Sequence, residues 1–493
     1  MIEFSSIPTE VLEILAQLEN NGWESFLVGG CVRDLLLQQE PKDWDITTKA
    51  QPDEIQKIFP DSFYDNRFGT VGVKTEKLRI IEITTFRAEG EYTDARHPDK
   101  IKWAKTLNED LSRRDFTVNA IAIEVKSEIQ NSKFKTNPKL ILIDPFEGQK
   151  DLENKILRTV GDPNKRFAED ALRMMRAARL AIELGFRIEA KTFEAIKKNS
   201  PLIKNIAQER IRDELVKILT TPRAAEGIDL LREANLLRFI IPELLDGYGV
   251  AQNLHHIYDV YTHNLKSLET AAKKNYNLIV RLAALLHDIG KPKAKRGEGE
   301  TSTFYNHQII GARMARKILE RLKFSREVIR RVILLIRNHM FVYDVDRVKA
   351  SGVRRVIRKV GLENIQDLIN LRVADRLGSG CPKAIPYKLR HFQYMVEKVS
   401  RDPISAKMLK INGEDIMREL KIPSGPKIGA ILDLLLAEVI DNPKKNNSEY
   451  LIQRAKELLL ENNLLDQRGK AQQKINQVEE GEEREIKKKY WVK

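Results

Sequence analysis

The sequence predicts an α+β fold in which an N-terminal sheet domain is followed by an extended all-α region. Three observations carry that prediction. Up to about residue 150, short β-rich runs alternate with helical segments. Beyond it apolar residues recur at helical spacing, punctuated by Pro163, Pro201, Pro222, Pro242, Pro292, Pro403 and Pro423. The length of 493 residues also exceeds what one core organises and suggests three or four domains.

In chain order, the first segment reads as an amphipathic helix capped near Ser6 or Thr9, with no basic leader and no long apolar core. Strands are expected at Ser25 to Val28, Trp44 to Thr47, Thr70 to Lys74, Leu78 to Thr84, Val118 to Val125 and Leu140 to Ile143. Between Phe86 and Leu111 the chain lacks periodicity and mixes charge with glycine, which predicts a long mobile loop. Lys295 to Ser302 breaks one helical region, and everything after about 150 should be helical. From Gln467 to Lys493, Lys, Glu and Gln dominate, so a charged, flexible extension is expected. The resulting boundaries are 1–150, 151–250, 251–385, 386–466 and 467–493.

Hydrophobic residues at 42% and charged ones at 32% describe a helix-rich globular chain. Lys and Arg outnumber Asp and Glu by 85 to 71, a formal charge of +14, which suits a polyanionic partner such as nucleic acid. Cys31 and Cys381 are the only cysteines; they exclude a disulfide scaffold and a thiolate zinc site and fit a reducing cytoplasm. No stretch approaches the roughly 20 apolar residues of a membrane span.

The chemistry begins with Asp43 and Asp45 in KDWDITT, shortly after FLVGGCVRD. On a strand, positions two apart face the same side, so both carboxylates are placed to hold divalent cations, with Mg²⁺ expected, while Trp44 turns away. Phe26 to Val28 reads as a buried strand, Gly29-Gly30 as a turn where backbone approaches phosphate, and Arg33 as part of the following helix. Glycine pairs and D-x-D triplets are each common; ordered together within twenty residues they favour a triphosphate cradle beside a metal site. Arg113, Arg114 and Asp115 precede another apolar run, and permanently charged, bidentate guanidinium suits phosphate. FAEDALRMMRAARLA predicts one helix carrying Asp170 and Arg173 on one face, with Arg176 and Arg179 continuing the spiral. An acceptor carboxylate beside a donor fork imitates a Watson–Crick edge and would select a base.

Taken in order, VGGCVRD with KDWDITT, RRDFTVNA, DPFEGQKDL, AEDALRMMRAAR and QERIRDEL resemble the class II (bacterial-type) CCA-adding tRNA nucleotidyltransferases and the related poly(A) polymerases, over roughly the first half of the chain. The resemblance implies a polymerase-β-like nucleotidyltransferase head at 1–150 and a base-selecting, RNA-binding neck at 151–250, with a tRNA-binding tail at 386–466. It implies metal-holding by Asp43 and Asp45, phosphate or sugar contacts from Gly30, Arg33 and Arg114, and base pairing by Asp170 and Arg173 supported by Arg176 and Arg179. The third carboxylate is left open between Glu82 and Asp115. Substrates would be CTP, ATP and the acceptor end of tRNA. Retention of TTFRAEGEYTDARHP implies that the terminal adenosine is added as well. The alternatives are a poly(A) polymerase, an A-adding enzyme, and a non-catalytic RNA-binding protein.

A second signature lies downstream. His263, His287-Asp288 and Asp375 are similar to the ordered ligands of HD-type phosphohydrolases, which implies an HD domain within 251–385 with phosphodiesterase or phosphatase activity. His307 and His339 stand where binuclear members supply further ligands, and six of the eight histidines fall between 255 and 339, His255 and His256 among them. Imidazole with carboxylate suits Mn, Ni, Fe or Zn better than Mg. Hydrolysis as the main activity, with the first half recruiting RNA, is a further alternative.

Overall fold

A computed structural model describes residues 6–65, 69–75, 80–88, 102–126, 129–130, 133–134, 139–252, 257–298, 301–341, 343–345, 347–381, 385–400, 406–461 and 463–492. It divides into two compact units, Met1–His339 with Asn370–Pro382, and Met340–Ile369 with Lys383–Lys493.

In the first unit, the principal sheet is built from β1 (Ser25–Val28), β2 (Asp45–Thr48), β3 (Ser62–Asp65), β4 (Thr70–Lys74) and β5 (Ile80–Thr85). The short β6 (Arg87–Ala88) and β7 (Lys102–Trp103) pair beside it, and β8 (Ala122–Lys126) rejoins the sheet. After the small β9 (Ile129–Gln130) and β10 (Lys133–Phe134) hairpin, β11 (Lys139–Ile143) completes seven strands in the order β11-β8-β1-β2-β5-β4-β3. All neighbours in this sheet are antiparallel except β2 and β5, whose parallel register sets Asp45 opposite Glu82. Strand β1 is apolar because both its faces are covered: Phe26, Leu27 and Val28 are all buried. By contrast β5 alternates, sending Ile81 and Ile83 inward and leaving Ile80 and Glu82 exposed.

Helices α1 (Thr9–Asn20), α2 (Gly30–Leu36), α3 (Pro52–Ile58), α4 (Leu107–Ser112) and α5 (Gly148–Glu153) accompany the sheet. Val11, Ile14, Leu15 and Leu18 form the buried stripe of α1, at helical spacing. Proline at the first position of α3 and a reciprocal Gln51–Glu54 cap start that helix. Next come α6 (Pro163–Glu169), α7 (Leu172–Leu184), α8 (Ala190–Asn199), α9 (Gln208–Thr220), α10 (Ala224–Glu233), α11 (Leu237–Ile240) and α12 (Pro242–Leu245). The unit ends with α13 (Val260–Lys273), α14 (Leu278–Leu286), α15 (Lys291–Ala294), α16 (His307–Arg321), α17 (Arg326–Asn338) and the C-terminal half of α19 (Leu362–Gly378). One exception to an all-helical second half is the two-residue parallel pair of β12 (Ile156–Leu157) with β13 (Arg187–Ile188), too short to leave a period in the sequence.

Several expected boundaries shift. Asp43 and Trp44 precede β2, so only Asp45 of the two aspartates is on a strand. β3 lacks a sequence signal because it is four residues long and half exposed. The expected strand at 118 starts instead with a 3₁₀ turn, Thr117–Asn119. Of the long loop, 89–101 lie outside the described residues, while its far end forms α4, capped when Thr106 accepts from Glu109 N–H.

The second unit contains α18 (Ala350–Val360), the start of α19, α20 (Tyr387–Ser400), α21 (Gly413–Leu420), α22 (Pro426–Asp441), α23 (Ser448–Leu459) and α24 (Leu464–Tyr490). The expected flexible extension is instead a 27-residue helix packed on α22 and α20. Leu464 and Ile475 join the core of Ile431, Leu435 and Leu451, and Ile486 with Val492 packs on Tyr394. Apolar residues so sparse are hidden by the surrounding Lys and Glu, and only the packing reveals that they share a face. Ile475→Ala should therefore cost about 2–4 kcal/mol, read as a lower urea midpoint for this unit; an unchanged midpoint would return α24 to the solvent.

Candidate active site

Two clefts open on the first unit's sheet, and both are lined by Asp45 and Glu82. Their carboxylates are neighbours because β2 and β5 run parallel in that register. Burial raises the Asp45 carboxyl first; Arg114 opposes this, and Glu82 and Asp43 add to the rise, bringing it to about 6. Three carboxylates crowded this way attract a cation, and an all-oxygen donor set suits a hard divalent one. Asp43, although off the strand, lines one of these clefts with Asp45 and Glu82.

The other cleft, about 330 Å³, is cationic: Arg87, Arg113, Arg114, Arg173, Arg176 and Arg210 line it. Buried Asp110 anchors part of this set. Its Oδ1 accepts from Arg113 at 2.7 Å and from Arg87 N–H at 3.1 Å, and its Oδ2 accepts from Arg114 at 3.3 Å. Against its own burial, Arg113 and Arg114 hold the Asp110 carboxyl below the usual range. Arg114 Nε is buried without a hydrogen-bond partner among the described residues, a donor that a phosphate oxygen would satisfy.

Gly29 precedes α2 with φ 81°, and a Cβ there would meet Arg114 Nη1 at 2.9 Å and Asp45 Oδ2 at 3.3 Å. A side chain is excluded by conformation and by space. Gly30 begins α2. Arg33 donates to Asn119 Oδ1 at 2.8 Å and to Asp34, and Arg179 to Glu214 at 2.7 Å and Glu183 at 2.6 Å; neither lines the cleft.

The sequence reading of Asp170 and Arg173 needs correction. They are not i,i+3 partners on one helix, because Asp170 is extended (φ −144°, ψ 102°) and divides α6 from α7. Its side chain accepts from Leu172 N–H at 3.0 Å, the local bond with which aspartate competes against helix. Asp170 then pairs with Arg210 at 2.8 Å, while Arg173 pairs with Glu169 at 2.5 Å and donates to Arg113 O at 3.2 Å. Tertiary packing nevertheless brings Asp170 and Arg173 into the cleft that holds Asp45. The sequence reading missed Arg210 inside QERIRDEL, a motif it recognised as a whole, because only α9 packing against α7 brings it there.

Asp115 and Glu82 now part company. Burial would raise Asp115, but Arg176 and Arg173 outweigh it and hold it at about 2. Arg176 reaches it at 2.7 Å and Asn119 at 3.2 Å. Its charge is already matched, unlike that of Asp45 with Glu82.

A second constellation lies in the same unit. His263 on α13, His287-Asp288 in the turn after α14, His307 at the start of α16, His339 at the end of α17 and Asp375 on α19 are all buried and converge. His263 Nε2 lies 3.0 Å from His287 Nε2, 3.2 Å from Asp288 Oδ2 and 3.4 Å from Asp375 Oδ1. His307 Nε2 lies 3.4 Å from both His339 Nε2 and Asp288 Oδ1. Nδ1 of His287, His307 and His339 faces the carbonyl three residues back, at 2.9, 2.7 and 2.6 Å, a contact that turns each Nε2 lone pair to the centre. Two ligand triads result, His263-His287-Asp288 and Asp288-His307-His339, sharing Asp288. Burial lowers His287, yet Asp288 and Asp375 outweigh it and lift it to about 10, whereas burial and the neighbouring His287 hold His339 down at about 3. The approach is close: a Cβ on Gly290 would meet His307 O at 2.3 Å, and one on Gly378 would meet Ser267 Oγ at 2.2 Å. His255 and His256 lie outside the described residues.

Comparison with known proteins agrees with both constellations. Residues 25–158 match the poly A polymerase head domain, 185–247 the probable RNA and SrmB-binding site of polymerase A, and 260–379 the HD domain. The chain is 32% identical to a CCA-adding enzyme of Geobacillus sp. (strain WCH70), covering 90% of this chain and 96% of that one. To the CCA-adding enzyme of Ligilactobacillus salivarius (strain UCC118) it is 34% identical, over 92% and 98%. The crystal structure of the Bacillus stearothermophilus CCA-adding enzyme in complex with CTP superposes with a TM-score of 0.57 at 27% identity, covering 90% and 96%.

The contrast between the two acids generates a test. Asp115→Asn should lower stability by about 1–3 kcal/mol at pH 7, since it leaves the partly exposed Arg176 without its charged partner. The folded carboxyl sits below its ordinary 3.8, so its contribution is complete above that pH and is lost as pH falls through about 2. The gap between wild type and variant in thermal unfolding should thus shrink as pH falls from 7 towards 2; a constant gap would break the assignment.

Proposed function

The chain belongs to the CCA-adding enzyme family, and from that premise we propose that it builds the CCA 3′ end of tRNA from CTP and ATP without a nucleic-acid template. The observation that carries this is the meeting of the Asp45–Glu82 pair with Arg113, Arg114, Asp170, Arg173 and Arg210 at one cleft.

We assign metal holding to Asp43, Asp45 and Glu82, and leave Asp115 to orient Arg176. A divalent cation held by the first three, expected to be Mg²⁺, would supply positive charge beside the α-phosphate and the attacking hydroxyl. Arg113 and Arg114, fixed by Asp110, orient the triphosphate before reaction, so little reorganisation is left for the transition state. The Gly29 turn lets backbone approach the phosphates and Gly30 begins α2 behind it, while Arg33, bonded to Asn119 and Asp34, braces α2 from outside the cleft. Asp170, Arg173 and Arg210 present acceptor and donor groups to the incoming base, with Arg176 and Arg179 holding α7 to Asp115 and Glu214.

We assign residues 1–150 to catalysis, 151–250 to base selection and RNA contact, 251–385 to the HD domain, and 386–466, now with α24, to holding tRNA. Helical basic surfaces suit duplex RNA, which is read through backbone and 2′-hydroxyls. Among the described residues no helix is long and apolar enough to cross a membrane. A cytoplasmic location follows from the tRNA substrate and the two free cysteines.

For the HD cluster we propose phosphoester hydrolysis. His263, His287, Asp288 and Asp375, with His307 and His339, would hold Mn, Ni, Fe or Zn, which supplies Lewis-acid charge there. Lys291, 2.6 Å from Asp288, is a further fixed positive charge.

Incubation with tRNA ending at its discriminator base, plus CTP and ATP singly and together, should yield three added residues only with both. A long ladder would favour poly(A) synthesis; one residue on a tRNA already carrying CC, with none on the shorter one, would favour A-addition. Asp43→Ala or Asp45→Ala should reduce incorporation at least about 10³-fold while tRNA binding persists; retained turnover would remove these residues from catalysis. At the HD site, Asp288→Ala should abolish hydrolysis of bis-p-nitrophenyl phosphate and lower Mn²⁺ or Ni²⁺ retention on gel filtration. Unaltered retention would place the metal elsewhere.

A further inference from the structure

Asp45 and Glu82 divide two clefts of opposite character. One is the arginine-lined cleft. The other, about 830 Å³, is lined by Glu40, Asp43, Phe63 and Ile80 among others, and by a single lysine, Lys42. A triphosphate, the densest charge in the reaction, is drawn to the first, where the arginines are. In-line displacement sends the leaving pyrophosphate and the attacking hydroxyl to opposite sides of the α-phosphate. If the triphosphate occupies the arginine side, the RNA 3′ end arrives through the acidic cleft.

That cleft has an unusual wall. Phe63 is 46% exposed and Ile80 51% exposed, although both sit in the sheet. Phe63 pairs across the strands with Gly72, and a Cβ on Gly72 would lie 2.4 Å from Cζ, 2.6 Å from Cε1 and 3.0 Å from Cε2 of its ring. Only glycine lets the ring lie flat on β4, where it is held with one face open. Trp44, the other aromatic of this cleft, is buried.

We propose that Phe63, backed by Gly72 and flanked by Ile80, is the platform on which the 3′-terminal nucleobase of the RNA primer stacks. This rests on the transferase reading above. An aromatic face suits such a primer, because the terminal base changes after each addition and stacking tolerates any base.

Steady-state kinetics on the full chain test it. Phe63→Ala should raise KM for tRNA ending at its discriminator base by roughly 5- to 100-fold, the range of one lost stack. KM for CTP and ATP should stay within about twofold, because nucleotide sits on the arginine side. Phe63→Trp should restore primer KM, whereas Phe63→Leu, apolar but without a π-face, should not. With 2-aminopurine as the 3′-terminal base, fluorescence should be quenched on binding wild type and recover in Phe63→Ala. An unchanged primer KM, or a CTP KM rising in step with it, overturns the platform. Wild-type protein that fails to extend tRNA would overturn the transferase reading along with it.

Discussion

The parallel pairing of β2 with β5 is the constraint on which the site depends. It is the only parallel contact in the seven-stranded sheet, and it sets Asp45 beside Glu82 where two acidic chains would otherwise separate. Burial raises the Asp45 carboxyl, and the neighbouring Glu82 adds to the rise. With Asp45 half-buried and Glu82 exposed, the like-charge pair is held together by sheet hydrogen bonds on both flanks. The same pair lies between an arginine-lined cleft and an acidic one, so one backbone register sets the boundary between them.

Positive charge is fixed by the opposite device. Asp110, Asp115 and Glu214 are buried acids whose partners are arginines, and each ties a guanidinium of the cleft or of α7 to a framework element. An arginine already held by one carboxylate has less rotamer freedom to lose when it meets a phosphate. Asp170 plays a different part: by capping Leu172 it breaks the helix, and the break is what lets its carboxylate leave α7 and reach Arg210.

The HD cluster solves the same problem with imidazole. Backbone carbonyls fix the Nδ1 side of three histidines, and Asp288 is shared by both triads. Close crossings at Gly290 and Gly378 bring together ligands more than a hundred residues apart in sequence. Two clusters of different donor chemistry, all-oxygen and imidazole–carboxylate, thus stand in one compact unit.

From the residues alone came the α+β class, the glycine turn, the aspartate pair, four of the six arginines that line the cationic cleft (Arg113, Arg114, Arg173 and Arg176) and the order of the HD ligands, because each is encoded in local spacing or in a motif. What local spacing could not reveal was anything set by partners distant in sequence. The choice of Glu82 over Asp115 needed the β2–β5 register and the Arg176 ion pair. The place of Arg210 needed α9 against α7, and the burial of α24 needed the face of α22. The Phe63 wall was invisible for a related reason: a lone aromatic opposite a glycine means nothing until two strands are laid side by side. Sequence determines which groups are available; tertiary packing decides which are already matched by a neighbour and which remain open to a ligand.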